Sequence, residues 1–299
     1  MSVFGSILSV TMLAQTLRTS VPYVLASQGG VWSERSGVVN VALEGMMLGG
    51  GLAGVAVAHA GGGTALGAIA AMIVGAALGA LHALVTERGK IDAIVSGIAI
   101  NIIALGGTRV VMNALYQSSS NSPTIDGFTP HGSSILVRVL LDPMSIAALA
   151  CVAFTIVVLR STRFGLRVRA CGEGPLAARS AGLAVVRTRV FAVAIGGALA
   201  GLGGAALAFD ERQFQSGMTG GRGFVALAAV VLSGWRPGRA AAVCLAFATL
   251  DALQGVLQGH ARALQDLVQM LPFVAALLAL GLVRRGRSGP PAGLGVHAE

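Results

Sequence analysis

The chain has 299 residues, of which 55% are hydrophobic and 11% are charged, and its formal net charge is +9. A soluble globular domain has about 25% charged residues, so the composition excludes that class. Only 5% of the residues are aromatic, and the basic residues lie dispersed between apolar runs, which disfavours a nucleic-acid-binding surface. The composition therefore indicates a polytopic membrane protein.

Nine apolar runs separated by turn-forming or charged residues follow one another along the chain. They cover residues 4–28, 37–58, 64–85, 92–116, 143–159, 189–208, 222–234, 239–258 and 265–283. Because about 20 apolar residues form a membrane-spanning helix, we predict an all-α polytopic membrane protein with about nine transmembrane helices, within a range of about eight to ten. The run at 222–234 is short and the run at 37–58 is rich in glycine, so we expect one or both to be broken or re-entrant.

The distribution of arginine predicts how the helices face. The loop 160–190 contains seven arginines and Glu173 as its one acidic residue, which is typical of a cytoplasmic loop. Alternation then places the loops 117–142 and 209–221 outside and the carboxyl end in the cytoplasm. We predict one transmembrane domain over residues 1–285, and a disordered tail over the polar, proline-containing residues 286–299.

Ionisable residues within the apolar runs indicate either tight helix pairs or a solute pathway. Glu44 follows Asn40 and Ser36 at four-residue intervals, so the three are expected on one helix face. Arg18, in the middle of the first run, is the expected opposite charge for Glu44. Both interpretations, a structural pair and a pathway lining, remain open.

Polar stripes occur on two later helices. Ser96 and Asn101 lie in the fourth run, and Asp251, Gln254 and Gln258 are spaced by three and four residues near the end of the chain. Hydroxyl, amide and carboxyl groups of this kind suit the route of a hydroxylated or hydrogen-bonding solute. They suit hydrogen bonds between helices equally well.

Motifs for catalysis are missing from the sequence. Its one Gly-Lys pair, Gly89-Lys90, is followed by isoleucine, so the chain lacks the P-loop that an ATPase of that type requires. The five histidines are far apart, the three cysteines lack metal-ligand spacing, and no GxSxG motif occurs. We therefore predict a non-enzymatic chain with no catalytic residue, no metal site and no cofactor of its own.

The cytoplasmic loop contains a predicted short helix from Gly174 to Ala181. Pro175 suits its first turn, and Gly182 lies where a glycine commonly ends a helix. Such a helix could dock a partner protein. The alternative is a basic loop that rests on anionic headgroups.

Three motifs resemble a known family. The segment Gly165-Leu166-Arg167-Val168-Arg169-Ala170, followed by Gly172-Glu173-Gly174-Pro175, Ala177-Ala178 and Ala181-Gly182-Leu183, resembles the coupling loop of ABC-transporter permeases of the branched-chain amino acid, ribose and nucleoside type. The run SERSGVVNVALEGMM at 33–47 and the segment 217–228, which contains GMT and GRGFVALA, are similar to the nucleoside or simple-sugar branch. The sequence departs from the family at Gly174, where asparagine is usual.

The resemblance implies a permease subunit of an ABC importer in the bacterial inner membrane. It implies a homologous second permease chain, ATPase subunits that bind ATP and magnesium, and an extracytoplasmic solute-binding protein, with nucleosides or similar hydroxylated solutes moved inward by alternating access. The expected ATPase contact is formed by Gly172, Glu173, Pro175, Ala177, Ala178, Ala181 and Gly182. The expected pathway residues are Asn40, Glu44, Ser96, Asn101 and Arg18.

Two alternatives remain. A permease for simple sugars or branched-chain amino acids would share the fold and differ in its lining residues. A stand-alone secondary transporter would show an inverted internal repeat, and no convincing repeat is visible in the sequence.

Overall fold

The structure, a computed structural model, describes residues 10–128, 134–258, 270–282 and 289–297, and these ranges are helical with no β-strand. An isolated β-bridge joins Asn121 to Gln215. The helices are α1 (Val10–Arg35), α2 (Leu43–Val57), α3 (Gly63–Glu87), α4 (Ala93–Tyr116), α5 (Ile135–Leu140), α6 (Pro143–Ser161), α7 (Arg163–Glu173), α8 (Pro175–Ser180), α9 (Val185–Asp210), α10 (Arg222–Leu232), α11 (Pro237–Gln258) and α12 (Leu271–Leu282).

Each of the nine predicted apolar runs contains one of these helices, which confirms an all-helical polytopic protein. Within the described ranges, four helical segments are long and apolar enough to cross a membrane: Leu43–Glu87, Ala93–Tyr116, Pro143–Ser161 and Val185–Asp210. The first of them joins α2 to α3 through a π-helical turn at Ala58–Gly62. A total of about nine spans therefore stays a prediction.

Helix α9 lies at the centre of the bundle and packs against α1, α2 and α3. The contacts rely on small residues, as the glycine pairs predict. A methyl group added at Gly75 of α3 would collide with the backbone carbonyl of Gly197 of α9, and one added at Gly197 would collide with the carbonyl of Gly75. The two helices therefore touch through their backbones.

Two apolar runs, 37–58 and 222–234, contain helices that are shorter than the runs themselves. Residues 36–42 form turns and irregular backbone, and α2 begins only at Leu43. Our prediction that Ser36, Asn40 and Glu44 share one helix face is therefore wrong. Helix α10 has 11 residues and spans about 16 Å, which is half of a hydrocarbon core.

Two short helices were not predicted. In the loop 117–142, Ser134 caps α5 by accepting a hydrogen bond from the Val137 amide. In the loop 160–190, Thr162 caps α7 by accepting one from the Gly165 amide. Helix α7 has buried residues on one face, including Val168 and Cys171, so the basic loop is an amphipathic helix that packs on the bundle.

The prediction of a disordered tail is wrong for residues 289–297. The Gly293 amide donates to the Gly172 carbonyl over 2.8 Å, and the Gly295 amide donates to the Gly37 carbonyl over 2.9 Å. Backbone groups make these bonds, so the composition of the tail does not reveal them. Residues 286–288 and 298–299 lie outside the described residues.

Candidate functional site

The carboxylate of Glu44 binds the amino end of the short helix α10. Its Oε1 accepts hydrogen bonds from the Thr219 hydroxyl at 2.5 Å and the Gly221 amide at 2.8 Å, and its Oε2 accepts one from the Gly223 amide at 2.7 Å. An anion suits this position because the first amides of a helix lack partners within it. Glu44 therefore joins α2 to α10, and two of the three sequence motifs meet at this contact.

Arg18 does not pair with Glu44. Its Nε donates to Oδ1 of Asp210, at the end of α9, and the Arg18 side chain is half exposed, at 51%. The expectation of an Arg18–Glu44 pair is therefore wrong. Each of the two acidic residues has a different partner: Glu44 binds backbone amides of α10, whereas Asp210 binds the Arg18 guanidinium of α1.

Asn40 and Asn101 hold the irregular segment before α2 and the first turn of that helix. The Asn40 side-chain amide donates to the Ser33 hydroxyl at 2.8 Å, and its oxygen accepts from the Ala42 amide. Asn101 of α4 donates to the Val41 carbonyl at 2.9 Å and accepts from the Gly45 amide at 2.8 Å. The two asparagines thus satisfy backbone groups that no regular helix pairs.

Ser96 reaches the same segment through His82. The Nε2 of His82 lies 2.9 Å from the Val39 carbonyl and its Nδ1 lies 3.0 Å from the Ser96 hydroxyl. A carbonyl only accepts, so Nε2 carries the proton and Nδ1 accepts from Ser96. His82, which is fully buried, was not singled out from the sequence, since nothing in its spacing distinguishes it.

Four of the five expected pathway residues therefore lie in or beside residues 39–46. Asn40 and Glu44 belong to this segment, Asn101 of α4 contacts it directly, and Ser96 of α4 contacts it through His82. Arg18 lies apart from them, at a cavity.

This cavity has a volume of about 500 Å³, which is within the range of small-molecule sites. It lies between α1, α6, α9 and α11, toward the predicted outer side. Its polar lining includes Arg18, Asp210, Arg222, Asp251 and Gln254, and its aromatic lining consists of Phe128 and Phe209. The polar stripe at Asp251 and Gln254 thus faces a cavity.

Three helices meet in a polar cluster beside this cavity. Asp251 of α11 accepts hydrogen bonds at Oδ2 from the Tyr23 hydroxyl of α1 and from Nη2 of Arg222 of α10, both at 3.2 Å. The Arg222 guanidinium lies 5.9 Å from the centre of the Tyr23 ring. Sequence analysis missed Tyr23 and Arg222, because their shared partner Asp251 lies 228 and 29 residues away along the chain.

At the opposite, predicted cytoplasmic end, the short helix α8 begins at Pro175 and is followed by Gly182 in a left-handed conformation. A short helix is therefore present within the predicted segment, and its contact with a partner stays a prediction. Its buried side consists of Pro175 and Ala178, and Gly172 before it is also buried. The other expected contact residues, Glu173, Ala177, Ala181 and Gly182, are exposed together with Leu176.

Behind α8, a fully buried arginine joins three parts of the chain. Arg189 binds the Glu87 carboxylate at 2.6 Å, the Val296 carbonyl at 2.6 Å and the Cys171 carbonyl at 3.1 Å. Sequence analysis counted Arg189 among the seven arginines of the loop 160–190 and did not distinguish it from the others. Its i,i+4 neighbours, Val185 and Val193, are apolar, which in retrospect distinguishes it from the arginines around it.

Comparison with known proteins identifies the class of the molecule. The family model for the branched-chain amino acid transport system permease component matches residues 12–277. A guanosine ABC transporter permease protein of Bacillus subtilis, NupQ, is 34% identical over 97% of this chain and 96% of its own length. A nucleoside ABC transporter permease protein of Lactococcus lactis, NupC, is 31% identical over 91% of both chains. A protein of Haloferax volcanii named as a putative glucose ABC transporter permease protein, TsgC13, is 34% identical over 81% of this chain and 76% of its own length.

Proposed function

Because the chain belongs to the family of branched-chain amino acid transport system permease components, we propose that it is the membrane-spanning subunit of an ABC importer that moves nucleosides inward. The protein is a multi-pass membrane protein, and its relatives are transport components. The observation that carries the nucleoside assignment is the 34% identity to a guanosine permease over 97% of the chain.

Simple sugars are the second candidate. The similarity to TsgC13 supports them at 34% identity over 81% of the chain. Nucleosides are favoured because the guanosine permease NupQ, at the same identity, is matched over 97% of this chain and 96% of its own length, and the nucleoside permease NupC is matched over 91% of both chains. Branched-chain amino acids, which give the family its description, are the third.

The proposed partners are two ATPase subunits, a second homologous permease chain and an extracytoplasmic binding protein. ATP and magnesium would be held by the ATPase subunits. The seven arginines of the loop 160–190 support a cytoplasmic position for α7 and α8 in the inner membrane of a bacterium, and the contacts of the tail with Gly172 and Gly37 support the same side for the carboxyl end. About nine spans are proposed, with α10 as a half-helix.

Helix α8 is the proposed contact with the ATPase. The exposed side chains of Glu173, Ala177 and Ala181 would touch the partner together with Leu176, whose side chain is 67% exposed. Gly172, Pro175, Ala178 and Gly182 would set the position of the helix. A methyl group at Gly172 would collide with the Arg35 carbonyl, so α8 sits on a rigid support through which a movement could reach α1.

The proposed pathway involves the polar residues in and beside the segment 39–46 and the polar residues at the outer cavity. Asn40, Glu44, Ser96 and Asn101 hold the segment 39–46 against α4 and α10, and opening toward the cytoplasm would require some of these hydrogen bonds to break. Arg18 and Asp210 lie at the outer cavity. Alternating access would then be a change between two arrangements of these helices, with no covalent chemistry in this chain.

Reconstitution of the complete transporter tests this proposal. Proteoliposomes that contain both permease chains, the ATPase subunits and the binding protein should accumulate labelled guanosine when ATP is supplied, and should not accumulate glucose or leucine. Liposomes with this chain alone should accumulate none of the three. Uptake by the chain alone would support a secondary transporter, and accumulation of glucose or leucine in place of guanosine would support the corresponding alternative solute.

A further inference from the structure

We propose that the cluster of Asp251, Arg222 and Tyr23 binds the hydrogen-bonding edge of a nucleobase as the solute crosses the membrane. The inference rests on the proposed function and deepens it, since it names the part of the solute that this chain recognises and the residues that contact it.

The cluster lies deep in the bundle and is reached from the cavity. Tyr23 is 12 residues from the end of α1 at Arg35, which corresponds to about 18 Å of helix. Its side chain is 3% exposed, whereas those of Arg222 and Asp251 are 25% and 14% exposed and line the cavity. Charged groups at such a depth are costly unless they pair or serve a pathway.

The cluster keeps unused hydrogen-bonding capacity. Arg222 has five N–H groups, and its described contacts use one N–H of Nη1 for the Met218 carbonyl and one N–H of Nη2 for Asp251 Oδ2, so each Nη keeps a second N–H. Its Nε has no partner within the described residues. Asp251 is bound at Oδ2 alone among the described contacts, so Oδ1 remains as an acceptor. A ligand with one donor beside one acceptor could donate to Asp251 Oδ1 and accept a hydrogen bond from the Arg222 guanidinium.

The rest of the cavity suits a flat ring. Phe128 and Phe209 stand edge to face, with ring centres 5.9 Å apart, and Pro22 and Met144 add apolar surface. Aromatic side chains bind nucleobases by stacking whatever their identity.

The charge of the three-residue cluster argues against an anionic group of the solute beside Arg222. Arg222 faces the carboxylate of Asp251 and is also within electrostatic reach of Glu44, so two acidic groups surround one basic group. A neutral heterocycle adds no charge to this balance. An amino acid zwitterion would have to separate Arg222 from Asp251, which lie 3.2 Å apart.

Ligand-observed saturation-transfer NMR on the complete transporter in nanodiscs, without its binding protein, tests the proposal. Inosine is the probe, because N1–H is the one donor on its base. Its base protons should receive at least fivefold more saturation than those of 1-methylinosine, and ribose and leucine should receive little. Asp251→Asn and Arg222→Lys should each remove the advantage of inosine. Glu211→Gln, which changes an exposed carboxylate of the same cavity, should retain it.

Equal saturation of inosine and 1-methylinosine would overturn the proposal. A higher saturation of inosine that persists in both cluster variants would also overturn it, and so would a leucine signal that exceeds that of inosine. Guanosine uptake by the same purified transporter, reconstituted in proteoliposomes with its binding protein, tests the importer separately from the site. Uptake without an inosine signal at the cavity rejects the site and leaves the nucleoside importer standing. Absence of both rejects the importer and the site with it.

Discussion

Arg189 of α9 and Glu87 of α3 form an ion pair that is closed to solvent: their side chains are 0% and 3% exposed, and Nη1 and Oε1 lie 2.6 Å apart. The same guanidinium binds backbone carbonyls of α7 and of the carboxyl-terminal tail. One residue thus connects the central helix to the support of α8. Breaking a buried pair of this kind by removing one partner leaves a charge without compensation.

We therefore expect Arg189→Met to lower the stability of the protein by about 3–5 kcal/mol. The midpoint of thermal unfolding in detergent measures the effect. The double variant Arg189→Met/Glu87→Leu should recover part of the loss, because neither charge remains. Arg187→Met, two residues away and exposed, is the control, and an equal loss in both single variants would contradict the role of the pair.

Replacement of Gly293 tests the docking of the tail. A methyl carbon at this position would lie 2.6 Å from Cδ of Pro175 and 2.8 Å from the Gly172 carbonyl oxygen, so Gly293→Val should displace the tail. Limited proteolysis should then cut the chain faster between residues 283 and 299. Gly289→Val is the matched control, since nothing lies within 4 Å of the carbon that it adds. Equal cleavage of both variants and the wild type would show that the tail is not held there.

The loss of stability caused by a substitution of Glu44 should increase with the number of hydrogen bonds that it removes. Gln retains an oxygen for Thr219 and Gly221 but presents an amide to the Gly223 amide, whereas Ala removes all three bonds. Each bond to a charged group contributes about 1.5–3 kcal/mol, so the unfolding midpoint should fall in the order wild type, Gln, Ala. Guanosine uptake should follow the same order. Glu211→Ala, an exposed acid, should leave the midpoint unchanged, and equal midpoints for Gln and Ala would argue against hydrogen bonding.

The proposed ATPase contact can be tested at two leucines. Leu176→Asp places a charge at an exposed position of α8, and we expect at least a tenfold decrease in the ATPase that copurifies with the chain. The unfolding midpoint should not change, because Leu176 is 67% exposed. Leu166→Asp on α7 has a similar exposure of 60% and should retain the ATPase. Full retention by Leu176→Asp would remove α8 from the contact.

Cys171 provides a test that depends on pH. Burial raises the pKa of the Cys171 thiol, and only the thiolate reacts with maleimides. The raised pKa reduces the thiolate at neutral pH, so labelling at pH 7 should be much slower than for an exposed thiol and should increase through the alkaline range. Mass spectrometry of the labelled peptide measures it, with urea-unfolded protein as the control. Rapid labelling at pH 7 would contradict the packing of α7 on the bundle.

The helices were predictable because length and hydrophobicity are local properties. The short helix α8 was predictable for the same reason, since Pro175 suits a first helical turn and Gly182 readily takes the left-handed conformation that follows a helix. The contacts of Glu44 and the order of the tail were not, because backbone amides and carbonyls provide most of the partners and every residue carries those. Opposite charges are equally ambiguous: Arg18 had several candidate acids, and only the packing of α1 beside the end of α9 selects Asp210.

The contact between Gly75 and Gly197 has a consequence for motion. Where two helices meet through side chains, rotamers can adjust and one helix can slide a little over the other. Where they meet through their backbones, there is no deformable layer, and a sliding step would drive main-chain atoms into each other. Helices α3 and α9 therefore form one rigid unit, and in the proposed alternating access the displacement would come from the helices around this unit.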